Sequence, residues 1–222
     1  MSRKIRGAVF DIDGTLLDSM KIWNDAGERY LKTCGKKAED GLADILFEMS
    51  MEEGAQYMKD RYGLEKTIEE ISSGVLAAVE GFYRNEAELK PGAQELLEAF
   101  ASRGIRMTVA TSSDRRHIEG ALHRLGILKY FSRVFTCSEV GAEKSSPLIF
   151  HAAMDEMGTE PGETCVIEDG LYAVETAKKA GLMTVGVYDS ASDSDWDKLR
   201  ETADVWLCSL EEQNKIWEFV SV

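Results

Sequence analysis

The apolar run Ala8-Val9-Phe10 ends in two carboxylates one residue apart, Asp11 and Asp13, followed at once by Gly14 and Thr15. Side chains alternate with period 2 in extended backbone, so the two carboxylates start on one face. Like charges that close are unfavourable unless a cation or a shared proton relieves them. The pair therefore points to a metal site, a nucleophilic carboxylate, a proton-transfer carboxylate, or several of these. Further reactive groups follow other apolar runs. Thr111, with Ser112 and Ser113, comes after Val109-Ala110; Lys144 lies in the loop after Val134 to Cys137; Glu168 and Asp169 come after Val166-Ile167.

These groups need elements that bring them together. Ala8 to Phe10, Ile105 to Ala110, Val134 to Cys137, Cys165 to Ile167, Met183 to Tyr188 and Asp204 to Leu207 read as strands. Helical segments separate the later ones: Pro91 to Ser102, Asp114 to Leu125, Pro147 to Met157, Leu171 to Ala180 and Ser194 to Thr202, with one more at the end of the chain. Strands alternating with helices imply a parallel sheet covered on both faces. Between the first strand and the rest, Met20 to Arg84 is helical throughout. Ser50-x-x-Glu53 and Thr67-x-x-Glu70 are capping boxes, and Ile68, Ile71, Val75, Val79 and Phe82 recur at spacings of 3 and 4. Met20, Trp23, Gly27, Tyr30 and Leu31 share one helix face; Trp23, Tyr30, Met49, Met51 and Tyr57 could line a substrate pocket, but most are expected to pack the helical core. The expected class is α/β, a doubly wound parallel sheet with a small all-helical domain of about four helices inserted after the first strand. The expected boundaries are 1–16 with 91–222 for the α/β domain and 17–90 for the helical one.

In open sheets of this kind ligands bind beyond the carboxyl ends of the strands, where all the reactive groups fall. Carboxylates from two strand ends suit Mg²⁺, which takes hard oxygen ligands. Thr111 and Ser112 stand before a helix, whose N-terminal N–H groups bind anions, and Lys144 adds a point charge suited to phosphate. Together they favour a bound phosphoryl group, which an aspartate can attack to give an aspartyl-phosphate. Phosphate-monoester hydrolysis is slow enough unaided for enzymes to accelerate it by up to about 10²¹-fold. Positioning and charge neutralisation must supply most of that.

Composition sets outer bounds. The chain has 222 residues and a net charge of −14, which argues against nucleic-acid binding, since that needs a basic footprint. It leaves room for an anionic small substrate in a local pocket. Cys34, Cys137, Cys165 and Cys208 match no zinc module, and Cys137 and Cys165 should pack as small hydrophobes. No apolar run approaches the roughly 20 residues of a membrane span, and the run after the basic N-terminus is too short for a signal-peptide core. A reduced, cytoplasmic protein without membrane or nucleic-acid partners, monomeric or weakly dimeric, is the expectation. His117, His123 and His151 have no partners at metal-ligand spacing and read as structural or exposed.

Asp11-Ile12-Asp13-Gly14-Thr15-Leu16-Leu17-Asp18-Ser19 resembles the first motif of the haloacid dehalogenase superfamily. Val109-Ala110-Thr111-Ser112 resembles its second, Lys144 its third and Glu168-Asp169 its fourth, in order and at similar spacing. One Asp-x-Asp would be a weak signal; four ordered motifs corroborate one another. The helical insertion after motif one resembles the cap of the beta-phosphoglucomutase and phosphoglycolate phosphatase branch. The resemblance implies a Rossmann-like core and a role for each residue. Asp11 would be nucleophile and metal ligand. Asp13 would bind metal through its backbone carbonyl and act as general acid, then base. Thr111, the Ser112 backbone and Lys144 would hold phosphate, and Asp169 would complete the Mg²⁺ site, with Glu168 beside it.

Two departures bear on substrate rather than chemistry. Gly170 stands where the family often has serine, and Lys144-Ser145-Ser146-Pro147 replaces the common Lys-Pro-x-Pro. Asp13 argues against the dehalogenase and phosphonatase branches, which lack that aspartate. A beta-phosphoglucomutase-like phosphotransferase would need a cap cation for a second phosphate, but Glu48-Met49-Ser50-Met51-Glu52-Glu53 offers none. The expectation is a phosphatase for a small phosphorylated metabolite, with the mutase as alternative. A phospho-aspartate signalling domain, or a binding module without turnover, is a further alternative that Asp13 and the helical insertion disfavour.

Overall fold

Six short strands form one parallel sheet in the computed structural model, which describes residues 3–47 and 49–221. They are β1 (Gly7–Phe10), β2 (Arg106–Thr111), β3 (Arg133–Thr136), β4 (Thr164–Glu168), β5 (Met183–Val187) and β6 (Val205–Leu207). Their order across the sheet is β3-β2-β1-β4-β5-β6, that of a doubly wound Rossmann-like fold. β1, β4 and β5 are buried along their whole length, as expected where helices cover both faces of a parallel sheet. The period of 2 is visible in β1. Val9 joins a cluster with Ile149, Phe150, Ala153, Ala173 and Ala177, while the ring of Phe10 meets those of Phe100, at 5.3 Å, and Phe131.

The chain divides into two compact units: residues 1–18 with 87–222, and Ser19–Glu86. Leu17–Asp18 pairs antiparallel with Glu88–Leu89. These residues therefore belong to the α/β unit, although 17–90 is the helical range expected from the sequence. The helical unit contains α1 (Lys21–Thr33), α2 (Leu42–Phe47), α3 (Met51–Tyr62) and α4 (Ile68–Asn85). Both capping boxes are present: Ser50 and Glu53 open α3, and Thr67 and Glu70 open α4. Ile71, Val75, Val79 and Phe82 of α4 are buried. On α1 the buried face is Ile22, Ala26, Gly27, Tyr30 and Leu31. Trp23, expected on that face, is 47% exposed, and Met51 is exposed as well.

In the α/β unit α5 (Ala93–Ser102), α6 (Arg115–Arg124), α7 (Leu148–Met157), α8 (Leu171–Lys179), α9 (Trp196–Thr202) and α10 (Asn214–Phe219) connect or flank the strands. Most boundaries shift by a residue or two, and at two of them the local cause is visible. β3 stops at Thr136, whose hydroxyl accepts the Glu139 N–H and opens a helical turn at Cys137–Val140. α9 starts at Trp196 because Ser190–Asp195 forms a 3₁₀ turn, opened by Asp189 accepting the Ala191 N–H at 2.9 Å.

Cys137 and Cys165 are buried, and burial pushes the Cys165 thiol up to about 12, in keeping with an inert packing role. Of the histidines, His117 is buried and His123 and His151 are exposed. Among the described residues no helix is long and apolar enough to cross a membrane.

Candidate metal and phosphoryl site

β1 and β4 are neighbours at the point where the strand order reverses, where open α/β sheets form a crevice. Phe10 pairs with Ile167, so Asp11, one residue beyond β1, stands level with Glu168, the last residue of β4. The Asp11 N–H donates to the Ile167 carbonyl oxygen at 3.0 Å, extending the ladder by one bond. Register alone thus brings Asp11, Glu168 and Asp169 together. A carboxylate oxygen from each lies within 4.8 Å of the others, and all three residues are buried.

Lys144 is buried among them. Its ammonium donates to Asp11 and, at 2.8 Å, to Glu168. The other oxygen of Glu168 accepts the N–H groups of Asp169 and Gly170, at 2.7 and 2.9 Å. Asp169 accepts the Thr15 hydroxyl at 2.9 Å and the Ser192 hydroxyl at 3.1 Å, one on each carboxylate oxygen. Gly170 brings no hydroxyl, and Asp169 takes its hydroxyl partners from two other loops.

Three buried carboxylates facing one buried ammonium leave an excess of negative charge. Burial pushes the Asp11 carboxyl up to about 7; the Lys144 ammonium opposes this, and the charges of Glu168 and Asp13 add to it. Burial and the nearby Glu168 and Asp11 carboxylates likewise drive Asp169 well above its usual range. Lys144 is held charged by Asp11 and Glu168 against the cost of its own burial. An all-oxygen donor set with surplus negative charge fits a hard divalent cation. Asp11, Glu168 and Asp169 could hold one.

The chain turns sharply after Asp11. The Leu16 and Leu17 N–H groups donate to the Ile12 carbonyl, at 2.9 and 2.8 Å, and Gly14 takes φ +83°. A Cβ at Gly14 would stand 2.5 Å from an Asp169 oxygen, so only glycine fits there. Asp13 lies on this turn, half-buried, and its side chain is not among the three gathered carboxylates. Instead its Oδ2 accepts the Ser113 hydroxyl at 2.6 Å. Thr111, at the end of β2, is buried and accepts the Ser113 N–H at 3.1 Å, which leaves its hydroxyl proton available to a ligand. Ser112 is exposed, its hydroxyl 3.5 Å from the Cys137 sulfur.

Asp11, Asp13, Thr111, Lys144, Glu168 and Asp169 can each be picked out from the sequence by type and spacing. Thr15 and Ser113 lie inside the same motifs, but nothing local assigns them Asp169 and Asp13 as partners. Ser192 and Lys90 carry no motif signal at all. Glu48, at the head of the acidic loop weighed for a second phosphate, lies outside the described residues. Glu53 in that loop is engaged in its capping box, accepting the Ser50 N–H at 2.8 Å.

The haloacid dehalogenase-like hydrolase profile matches residues 5–181. The phosphorylated carbohydrates phosphatase of Thermotoga maritima is 27% identical over 190 residues, 85% of this chain and 88% of that protein. A Drosophila melanogaster protein described as a probable pseudouridine-5'-phosphatase is 32% identical over 193 residues, 84% of this chain and 83% of that one. A solved structure from Thermotoga maritima, provisionally assigned as a beta-phosphoglucomutase, superposes with a TM-score of 0.83 at 24% identity, covering 97% of this chain and 100% of that one. At that identity the likeness is one of fold.

Proposed function

Because this chain belongs to the haloacid dehalogenase-like hydrolase family, we propose that it is a Mg²⁺-dependent phosphatase acting on a small phosphomonoester through an aspartyl-phosphate. The observation that carries this reading is the buried cluster of Asp11, Glu168 and Asp169 around Lys144 at the strand-order reversal. Relatives named as phosphatases of small phosphorylated compounds support the reaction class.

Asp11 is the nucleophile: its carboxylate oxygen attacks phosphorus and the ester oxygen leaves. Asp13 protonates that leaving oxygen, then takes a proton from the water that hydrolyses the aspartyl-phosphate. The Ser113 hydroxyl orients Asp13 for both steps. Thr111 donates its hydroxyl proton and Ser112 its backbone N–H to phosphoryl oxygens. Two of the three Lys144 protons are committed to Asp11 and Glu168, and the third can reach the phosphoryl group. Asp11, Asp169 and the Asp13 backbone carbonyl would hold Mg²⁺, with Glu168 beside them. When bound, the ion supplies positive charge that keeps the carboxylates ionised and neutralises the phosphoryl oxygens.

Phosphate released from p-nitrophenyl phosphate with Mg²⁺ present is the direct test. Turnover that survives Asp11→Asn, or that ignores EDTA, would refute the mechanism. Conversion of glucose 1-phosphate to the 6-phosphate faster than hydrolysis of either would replace the phosphatase by a mutase.

A further inference from the structure

Lys90 stands where the chain re-enters the α/β unit, directly after the Glu88–Leu89 strand. Its backbone N–H donates to the Leu16 carbonyl at 2.9 Å, which fixes it beside the turn that follows Asp13. Its ammonium has three protons and meets three acceptors: the Gly14 carbonyl at 2.7 Å, the Tyr188 carbonyl at 2.7 Å and Asp189 Oδ2 at 2.9 Å. The donor capacity of a lysine is thereby used up. Asp189 is buried, and its other oxygen accepts the Ala191 N–H at 2.9 Å. That bond opens the Ser190–Asp195 turn, which carries Ser192 to its 3.1 Å hydrogen bond with Asp169.

One ammonium therefore ties together two turns that reach the site from distant parts of the sequence. The first bears Asp13, and its Gly14 packs so closely on Asp169 that no Cβ fits between them. The second bears Ser192, which holds Asp169 from another side. We propose that Lys90 and Asp189 are positioning residues of this site. The pair locks the Asp13–Gly14 turn and the Ser190–Asp195 turn together, so that Asp13 stays aimed and Asp169 stays in place to bind the cation. The proposal rests on the assignment of Asp13 to proton transfer and of Asp169 to the metal. An apolar side chain at 90 would leave two carbonyls and a buried carboxylate without their donor, and the turns would part.

The experiment compares the unaltered protein with Lys90→Met and Asp189→Asn. It measures kcat and KM on p-nitrophenyl phosphate, and Mg²⁺ affinity by calorimetry with no substrate present. Loss of an outer-shell partner of a metal site costs about 10- to 100-fold in affinity or activity, and misplacement of a reacting group by 1 Å about 10²-fold. Lys90→Met should lower kcat about 10²-fold with KM within about threefold of its starting value, and weaken Mg²⁺ about tenfold. Asp189→Asn keeps the acceptor for Ala191 and should show a smaller loss of both, about tenfold in kcat. A merely structural role would lower the melting temperature and leave the Mg²⁺ affinity of the folded protein alone. A folded Lys90→Met protein with kcat and Mg²⁺ affinity within about twofold of the unaltered protein overturns the proposal. If Lys90→Met does not fold, Asp189→Asn decides by the same two readouts. If the unaltered protein releases no phosphate, the function reading fails and the calorimetric arm still judges the strut.

Discussion

The two units treat charge in opposite ways. The α/β unit buries the carboxylates of Asp11, Glu168, Asp169 and Asp189 and the ammonium of Lys144. Among the described residues, the helical unit buries no carboxylate or ammonium. It keeps its charges on capping boxes and rims and forms an open, mostly apolar pocket of about 140 Å³, lined in part by Trp23, Leu46, Met49, Met58 and Val79. Burying an ion costs several kcal/mol even after relaxation, and stability alone gives no reason to gather three carboxylates. The contrast teaches where to look for chemistry: the unit that departs from ordinary core composition holds the candidate site, and the unit that obeys it is held together by packing and caps.

The strongest way to break that contrast is Asp11→Asn. It should lower phosphate release by about 10⁴-fold or more, the scale seen when a nucleophile is removed. The same change relieves carboxylate repulsion while leaving Lys144 paired with Glu168. Thermal melting in EDTA should therefore stay where it is or rise. A lower melting point would mean that the charge cluster holds the fold together rather than serving the reaction.

Metal removal comes next. EDTA should abolish turnover, and Mg²⁺ should restore it and raise the melting temperature. An ion at 100 times its dissociation constant adds about 2.7 kcal/mol. Asp169→Asn should shrink that stabilisation severalfold, whereas a substitution confined to the helical unit should leave it unchanged. An equal Mg²⁺ shift in Asp169→Asn would place the ion elsewhere.

The difference between the units also governs what the sequence discloses. Asp11, Thr111 and Asp169 are legible because each lies at or just beyond the end of an apolar strand, Lys144 because it lies in the loop that follows one, and parallel register carries strand ends to one place. The doubly wound sheet and the helical insertion are legible from the same alternation of periods. The supports are not. Ser192 reaches Asp169 across 23 residues and Lys90 reaches Gly14 across 76, and no local propensity encodes such a meeting. Trp23 falls at helical spacing with the buried residues of α1, yet periodicity measures angle and not how far a neighbouring helix extends. It stands 47% exposed at the pocket.

A gentler perturbation acts on the helical unit alone. Alanine replaces glycine inside a helix with a gain of about 1 kcal/mol, so Gly74→Ala in α4 would stabilise if space allowed. Space does not allow it: a Cβ at 74 would stand 2.1 Å from the ring of Tyr30, which is buried. Overpacking costs about 1–3 kcal/mol, so the expected net is a loss of about 1 kcal/mol, read as a lower urea midpoint, with Mg²⁺ affinity unchanged. A higher midpoint would show that the Tyr30 ring gives way.

The smallest expected effect is a pH dependence in which the two units have opposite signs. In the helical unit Glu39 accepts a two-pronged contact from the Arg61 guanidinium, at 2.7 and 3.1 Å, and the Tyr57 hydroxyl at 2.7 Å. The Arg61 hydrogen bonds, then that of Tyr57, hold its carboxyl at about 2 against an ordinary value of 4.5. A carboxyl depressed on folding stabilises fully above its unfolded pKa, and that contribution drains away as pH falls from about 4.5 towards 2. Asp11 and Asp169 are raised on folding, so without metal their contribution is unfavourable at neutral pH and acid relieves it. A melting curve of the unaltered protein mixes the two trends. The difference between it and Glu39→Gln isolates the first, since glutamine keeps the shape and cannot titrate. In EDTA the unaltered protein should melt slightly higher than Glu39→Gln near neutrality, and the gap should close as the pH drops below the ordinary carboxylate range. The pair is partly exposed and salt screens it, so the gap should also narrow in high salt. A gap that persists unchanged through that acid range would mean that glutamine loses shape or packing there rather than charge.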